Sequence, residues 1–168
     1  MLPSLETPRL QIRPFTLTDA DFILTLLNEP SFLRYIGDKQ VRNLAQARDY
    51  LAQGPLTSYQ RHGLGLCLVS LRAGLTPIGM CGLIRRVELD APDLGYAFLP
   101  AYWQAGYAAE AAGAVLAQGV AELGLTRVLG VTLPDNAASQ KLLQRLGFAL
   151  IGTQPLYGQQ NQLYEYRP

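Results

Sequence analysis

The hydrophobic residues of this chain follow two periods along the sequence, and their succession predicts a mixed α/β fold. Strands are predicted where apolar residues alternate or run on continuously, at residues 9–15, 64–71, 77–88, 93–99 and 127–133, and in a terminal hairpin at 148–167. Helices are predicted after the capping box Thr18-x-x-Asp21 and over residues 45–59, 104–123 and 135–146, with a short helical turn at 31–37. The predicted order is β-αα-βββ-α-β-α-ββ.

Local residues refine this outline at three places. The alternating segment 9–15 is predicted to be an edge strand, and Gly54-Pro55 is predicted to break or kink the helix that contains it. Residues 64–71 are almost continuously apolar, as in a strand that is covered on both faces. Cys67 and Cys81 fall in the two arms of the predicted hairpin, where we expect free, buried thiols nearly opposite each other.

The composition narrows the class of protein. The 168 residues indicate a single domain over residues 1–168, large enough to bury a core. The formal net charge of +1 gives no broad attraction to nucleic acid or to a membrane. No run reaches the roughly 18 apolar residues of a membrane span, and the first residues lack a signal-peptide pattern, so we expect a cytoplasmic protein. Two cysteines and one histidine predict neither a disulfide scaffold nor a metal site.

The segment 102–110, Tyr-Trp-Gln-Ala-Gly-Tyr-Ala-Ala-Glu, joins a predicted strand to a long predicted helix through a turn of mostly small residues. Such a turn brings several backbone N–H groups and a helix N-terminus to one place, which is an arrangement that binds anions such as phosphate. Gly106 is the residue of this turn that adopts positive φ at no steric cost. The turn matches neither a P-loop nor a dinucleotide-binding glycine motif, which argues against a nucleotide triphosphatase and a nicotinamide dehydrogenase. A plain strand-to-helix connection is the alternative.

A second segment, residues 131–148, contains a strand that stops at Pro134 and a helix with an apolar face. Asp135 or Asn136 is a suitable N-cap for this helix, and Gly147 stands where a C-cap glycine is usual. Asn136 and Ser139 are three residues apart, so both fall in the first helical turn. Taken alone, the pair is explained by helix capping.

Together the two segments resemble the acetyl-CoA motifs of the GNAT superfamily of N-acetyltransferases, and especially its ribosomal-protein N-terminal (alanine/serine) acetyltransferases. The turn Trp103-Gln104-Ala105-Gly106-Tyr107-Ala108 fits the family's Arg/Gln-x-x-Gly-x-Gly/Ala pattern, with Trp at the first position as is common in that branch. Asn136-x-x-Ser139 followed by Leu-Gly-Phe fits the second cofactor motif. Residues 7–14, 78–84 and 94–96 match further family segments in the same order. The resemblance implies a single-domain α/β fold with a mixed, mostly antiparallel sheet of about seven strands flanked by about four helices.

The resemblance also implies roles for individual residues. Contacts with acetyl-CoA are implied for the turn, for two backbone positions of the preceding strand and for the second helix: Gln104, Ala105, Gly106, Tyr107, Ala108 and Ala109, then Phe98 and Leu99, then Asn136 and Ser139. Ser139 is also expected near the sulfur as a proton donor. Asp93 is the first candidate for the general base, with a solvated strand-end carboxylate as the alternative, and Arg34 and Tyr35 are expected to line the acceptor cleft.

One departure from the family concerns the turn itself. Gln104-Ala105 stands where the branch often has Gly-Lys or Gly-Arg, so the turn lacks a basic side chain for the pyrophosphate. Gln104 also lacks the conformational freedom of glycine. Glu110 matches a family position and is expected to be structural, while Glu165 is a weaker candidate for the base.

Three functions are consistent with the sequence. The first is an acetyl-CoA-dependent N-acetyltransferase that acts on a protein N-terminal α-amine. The second is the same type of enzyme acting on a small-molecule amine, and the third is a non-catalytic acyl-CoA-binding regulatory module. The expected partner is an amine-bearing acceptor, without nucleic acid or membrane, and the protein is expected to be a monomer or a homodimer.

Overall fold

A computed structural model describes residues 3–168 of the chain, so the first two residues of the predicted domain lie outside the described part. The strands of the described residues form one eight-stranded sheet with the order β1-β2-β3-β4-β5-β6-β8-β7. The strands are β1 (Leu5–Glu6), β2 (Leu10–Pro14), β3 (Leu66–Leu71), β4 (Pro77–Ile84), β5 (Asp93–Phe98), β6 (Val128–Thr132), β7 (Ala149–Leu156) and β8 (Gln159–Tyr166). Neighbouring strands are antiparallel except β5 and β6, which are parallel.

Six α-helical segments accompany the sheet. They are α1 (Ala20–Leu27), α2 (Pro30–Tyr35), α3 (Leu44–Leu51), α4 (Thr57–His62), α5 (Tyr107–Leu123) and α6 (Ala137–Arg145). The side chains of α1 and α3 pack with Leu68 and Met80 on one face of the sheet. Residues of α5, together with Leu143 of α6, pack on the other face, so the protein has three layers with the sheet in the middle. The predicted α/β architecture with a mixed, mostly antiparallel sheet is therefore confirmed.

The structure corrects four details of the prediction. The sheet has eight strands instead of about seven, because the short β1 pairs with β2, and segment 9–15 is therefore not the edge strand. Residues 3–168 contain six α-helical segments instead of about four, since the segment 31–37 contains a true helix and the helix at 45–59 is divided into α3 and α4. The predicted break or kink at Gly54-Pro55 takes the form of the π turn Ala52–Leu56, which interrupts the α-helical geometry and joins α3 to α4.

The fourth correction concerns the start of α1. The capping interaction lies two residues earlier than predicted, where the Thr16 backbone N–H donates to the Asp19 carboxylate at 2.9 Å. Arg13 of β2 donates two parallel hydrogen bonds to the same carboxylate, at 2.8 and 2.9 Å. Asp19 therefore completes the capping box of the 3-10 turn Leu17–Asp19, which leads into α1, and joins this turn to the sheet. The expectation for the two cysteines is confirmed, since Cys67 and Cys81 are directly opposed, buried and free.

The Asp19 ion pair makes stability depend on pH. Burial raises the pKa of this carboxyl, but the hydrogen bonds from Arg13 and Thr16 outweigh burial and lower the pKa below its ordinary value. The ionised carboxylate thus stabilises the fold above the unfolded-state pKa of about 3.9, and this contribution is lost as the pH falls through the lower folded-state pKa. We expect Asp19→Asn to lower the free energy of unfolding at pH 7 by about 2 kcal/mol, with a difference that shrinks below pH 4.

Urea unfolding of the wild-type protein and of Asp19→Asn between pH 3 and pH 7 measures this difference. Asp21→Asn is the matched control, because Asp21 lies in the same helical turn but is exposed and has no ion pair among the described residues. A loss of stability that is equal in both variants, or constant with pH, would contradict the prediction.

Candidate active site

Strands β5 and β6 separate almost as soon as they meet. Their only paired residues are Asp93 and Leu129, next to a hydrogen bond of 2.8 Å from the Leu129 N–H to the Pro92 carbonyl. On the other side of β5, the Leu99 N–H donates to the Ile78 carbonyl of β4 at 2.9 Å. Because hydrogen-bonding direction alternates along a strand, the backbone groups of Tyr96 and Phe98 are directed toward β6 and into the gap.

A cleft of about 1180 Å³ passes through this gap and is lined by residues from both faces of the sheet. Most of the residues predicted to form the site line this cleft: Tyr35, Asp93, Phe98, Gln104, Gly106, Tyr107, Ala108, Ala109, Asn136 and Ser139. Three do not line it, namely Arg34, Leu99 and Ala105. The Leu99 N–H and carbonyl are already hydrogen-bonded, to Ile78 and to Tyr102, so neither group is available to a ligand.

The small-residue turn has a strained backbone at its first part. Gln104 has φ +61° and Gly106 has φ +83°, so both adopt the left-handed conformation, although only glycine does so without cost. Helix α5 begins directly after Gly106 and runs for 17 residues. The Trp103 indole N–H donates to the Phe98 carbonyl at 2.9 Å, which ties the turn back to the end of β5.

Residues from the N-terminus of the chain hold this turn from outside. The Glu110 carboxylate of α5 accepts hydrogen bonds from the Thr7 hydroxyl at 2.5 Å and from the Arg9 backbone N–H and Nε at 3.0 and 2.8 Å. The Arg9 guanidinium also donates to the Ala105 carbonyl at 2.9 Å and lies 4.3 Å from the centre of the Tyr107 ring. These contacts place a cation beside the turn although the turn itself has none.

Asn136 and Ser139 occupy the first turn of α6 on one wall of the cleft. The Asn136 side chain accepts a hydrogen bond from the Ser139 backbone N–H at 3.3 Å, so it does cap the helix. The Ser139 hydroxyl is 2.5 Å from the hydroxyl of Tyr96, which reaches it from β5. Burial raises the pKa of Tyr96 to about 12, against the lowering effect of its hydrogen bond with Ser139, so the phenol is protonated at neutral pH.

Asp93 lies on the opposite face of the sheet from Ser139. Residues of a strand alternate between faces, and Leu94 and Phe98 pack on the α5 side whereas Ala97 packs on the α1 side. Asp93 lies on the same side as Ala97 and is fully buried. Its two carboxylate oxygens accept hydrogen bonds from Arg86 Nε at 3.1 and 3.2 Å. Burial raises the pKa of this carboxyl and Arg86 offsets part of the increase. The alternative of a solvated strand-end carboxylate is therefore wrong.

The space beside Asp93 is filled by a neighbouring side chain. A Cβ at Gly95, which shares the Asp93 face, would lie 2.5 Å from the Ile84 side chain. The two predicted acceptor residues differ in position, since Tyr35 lines the cleft and Arg34 forms an exposed ion pair of 2.6 Å with Asp135. Arg34 thereby connects α2 to the start of α6.

Several residues that the sequence did not single out reach the site: Arg9 contacts the turn, and Lys39, Arg86 and Tyr157 line the cleft. The sequence placed Tyr96 only within a strand motif. A tyrosine that shares a strand face with apolar core residues gives a weak signal, and the contact of Arg9 with residue 105 gives none in a single sequence.

Within residues 3–168 no group of acidic, histidine and cysteine side chains is suited to a metal ion. No helix of this part of the chain has both the length and the apolar character of a membrane crossing.

Comparisons with known proteins identify the family of this chain. A family model described as an acetyltransferase (GNAT) domain matches residues 9–149. YoaA of Bacillus subtilis, named as an uncharacterized N-acetyltransferase, is 29% identical over 163 residues, which are 96% of this chain and 91% of YoaA.

Two solved structures resemble the whole chain. An acetyltransferase from Agrobacterium tumefaciens has a TM-score of 0.86 at 23% identity, covering 100% of this chain and 96% of its own. RimL, a ribosomal alpha-N-protein acetyltransferase in complex with coenzyme A, has a TM-score of 0.86 at 15% identity, covering 98% of both chains. At these identities the likeness establishes the fold. With the family model matching most of its length, the chain belongs to the GNAT acetyltransferase family and is an N-acetyltransferase.

Proposed function

We propose that this N-acetyltransferase transfers the acetyl group of acetyl-CoA to the α-amine of a polypeptide N-terminus. The observation that carries the proposal is the single cleft that joins the turn at the start of α5, the gap between β5 and β6, and the Tyr96–Ser139 pair. Each of these features meets one requirement of the reaction.

The turn and the start of α5 are the proposed site for the pyrophosphate of acetyl-CoA. The Ala105 carbonyl is held by Arg9, and the C=O and N–H of one peptide plane point in opposite directions. The Gly106 N–H is therefore directed away from Arg9, on the side that lines the cleft. Together with the first N–H groups of α5 it suits an anion. We propose that acetyl-CoA contacts Gln104, Gly106, Tyr107, Ala108, Ala109 and Asn136, but neither Leu99 nor the Ala105 side chain.

The gap between the strands is the proposed path of the pantetheine arm. The Phe98 N–H is directed into this gap, where it suits the oxygen of a thioester carbonyl and the negative charge that develops on it. Leu99 does not fill this role because its N–H is bonded to Ile78.

Ser139 and Tyr96 are the proposed proton donors to the leaving sulfur. In the reaction the amine nitrogen forms a bond to the acetyl carbon, the carbon–sulfur bond breaks, and the sulfur leaves as a thiolate that needs a proton. The Ser139 hydroxyl supplies this proton and recovers one from the Tyr96 phenol, which is protonated at neutral pH. Water that enters the cleft then returns a proton to Tyr96. The proton released by the amine leaves on the other face of the sheet, where Asp93, at the opposite end of β5 from Phe98, is proposed to accept it through intervening water.

The choice of acceptor rests on the chemistry of the amine and on the charge of the cleft. An α-amine with a pKa of about 7.7–8.0 is partly neutral at pH 7, so a weak base is sufficient. Six basic and four acidic side chains line the cleft, which is unfavourable for a small polycation such as a polyamine. RimL, which shares the fold, is named for action on a protein α-amine.

We expect acetyl-CoA to bind the purified protein and CoA to be released when a suitable N-terminal peptide is added. Titration calorimetry measures the binding, and a thiol assay against N-terminal peptides and small amines measures the release. Release of CoA with a small amine, and with none of the peptides, would show that the acceptor is a small-molecule amine. Absence of acetyl-CoA binding would overturn the proposed cofactor site.

Arg9→Met is expected to raise the Kd for acetyl-CoA by about tenfold, since it removes a charge-assisted hydrogen bond that orients the turn. Arg72→Met is the matched control, because Arg72 donates to the Thr7 carbonyl of the same N-terminal segment but makes no contact with the turn. An equal loss of acetyl-CoA affinity in the two variants would contradict the prediction. It would mean that acetyl-CoA binding depends on the N-terminal segment in general and not on the orientation of the turn by Arg9.

Ser139→Ala and Tyr96→Phe are expected to lower kcat, by about a hundredfold for Ser139→Ala, the lower end of the range for a lost proton-transfer group. The KM for acetyl-CoA is expected to change much less than kcat. Tyr164→Phe is the matched control, because Tyr164 is buried but does not line the cleft. A kcat that Tyr164→Phe lowers as much as Tyr96→Phe would indicate a packing effect, and an unchanged kcat in Ser139→Ala would exclude Ser139 as the donor.

A further inference from the structure

The acceptor side of the cleft contains a pair of cations around one aromatic ring. Lys39 Nζ lies 5.7 Å, and the Arg86 guanidinium carbon 5.8 Å, from the centre of the Tyr157 ring. Arg86 also donates to the Tyr157 hydroxyl at 3.2 Å. The three residues come from separate connections of the chain, after α2, after β4 and between β7 and β8, and all three line the cleft.

This pair carries an excess of positive charge. Arg86 is paired with the buried Asp93, whereas no carboxylate within residues 3–168 forms an ion pair with Lys39. Two effects lower the pKa of Lys39: burial of the ammonium in the cleft wall, which is the larger effect, and repulsion from Arg86. The lysine as a whole stays exposed. Lys39 thus presents an ammonium without a carboxylate partner beside a second cation, and this combination attracts an anion.

The acidic residues of the cleft do not cancel this charge. Asp93 and Asp135 are already engaged with Arg86 and Arg34, which leaves Glu29 and Glu88. Glu88 is exposed and follows Arg85, a further cation of the cleft lining. The location of the two cations matters as well. Arg86 contacts Asp93 and therefore lies on the sheet face opposite Ser139. This is the face from which the amine is proposed to enter.

We infer that the acceptor carries an anionic group, a carboxylate or phosphate, close to its reacting amine, and that Lys39 and Arg86 bind this group. The inference rests on the proposed function and specifies its substrate class. A polypeptide with an acidic residue next to its N-terminal residue has this chemistry, and so does a small amino acid with an acidic side chain. Lys39 supplies the free charge, and Arg86 orients both the anion and Asp93.

The test compares acceptors that differ only in charge. The wild-type protein is assayed with an Ala-Glu, an Ala-Gln and an Ala-Lys tetrapeptide amide, and with free glutamate and glutamine. We expect kcat/KM to be about tenfold higher for Ala-Glu than for Ala-Gln, the scale of one charge-assisted hydrogen bond, and lowest for Ala-Lys. The preference is expected to decrease as ionic strength increases. Turnover of glutamate with little turnover of Ala-Glu would identify a small acceptor with the same chemistry.

Two variants locate the preference. Lys39→Gln is expected to bring the Glu/Gln ratio close to one, and Lys39→Glu to reverse the order in favour of Ala-Lys. Arg48→Gln, which removes an exposed cation outside the cleft, is the matched control and is expected to keep the ratio. The Kd for acetyl-CoA, measured for each variant, identifies one that has failed to fold.

The outcomes separate the two levels of the proposal. Acetylation of Ala-Glu and Ala-Gln at equal rates by the wild-type protein would overturn the anion site and leave the proposed function intact. A wild-type preference that Lys39→Glu does not alter would also overturn it. Acetyl-CoA binding without acetylation of any peptide would overturn the proposed function itself.

Discussion

The separation of β5 from β6 is the constraint on which the arrangement of the site depends. Two strands at the centre of a sheet normally satisfy each other's backbone groups, and here they share one residue pair before they diverge. The protein compensates at one point, where the Trp103 indole N–H bonds to the Phe98 carbonyl. The remaining backbone groups along the gap are available to a ligand, and the same divergence makes room for the cleft.

The Glu110 carboxylate joins the beginning of the chain to its middle. It receives hydrogen bonds from Thr7 and Arg9, which are about a hundred residues away in sequence, and Arg9 in turn holds the Ala105 carbonyl. Gln104 is kept in a left-handed conformation that costs about 1 kcal/mol for a residue other than glycine. Contacts of this kind over-determine the turn and so allow the strain to persist.

Much of the fold follows from the sequence, because strand and helix periods are local properties. The hairpin with Cys67 opposite Cys81, the long helix α5 and the Asn136 cap all follow from such patterns. The π turn around Pro55 does not, since proline usually ends a helix and only the neighbouring turns show that this one continues. Likewise, the burial of Asp93 depends on Arg86, which lies in a connection without regular structure.

For the site, the sequence was most informative about its backbone parts. The small-residue turn and the start of α6 were located by spacing, because the backbone supplies most of their chemistry. Side chains that converge from separate connections, as Lys39, Arg86 and Tyr157 do, have no pattern in one sequence. Tyr96 illustrates the same limit, because its hydroxyl meets Ser139 only once β5 and α6 are placed side by side.

The position of Ser139 and Asp93 on opposite faces of the sheet has a consequence for the order of events. A cleft that is lined from both faces of the sheet can admit the proposed cosubstrate from one face and the proposed acceptor from the other. Both can then be in place at the same time, and the amine meets the thioester carbon inside the gap. Direct transfer within a ternary complex needs no covalent intermediate on the protein. Neither product would have to leave before the other.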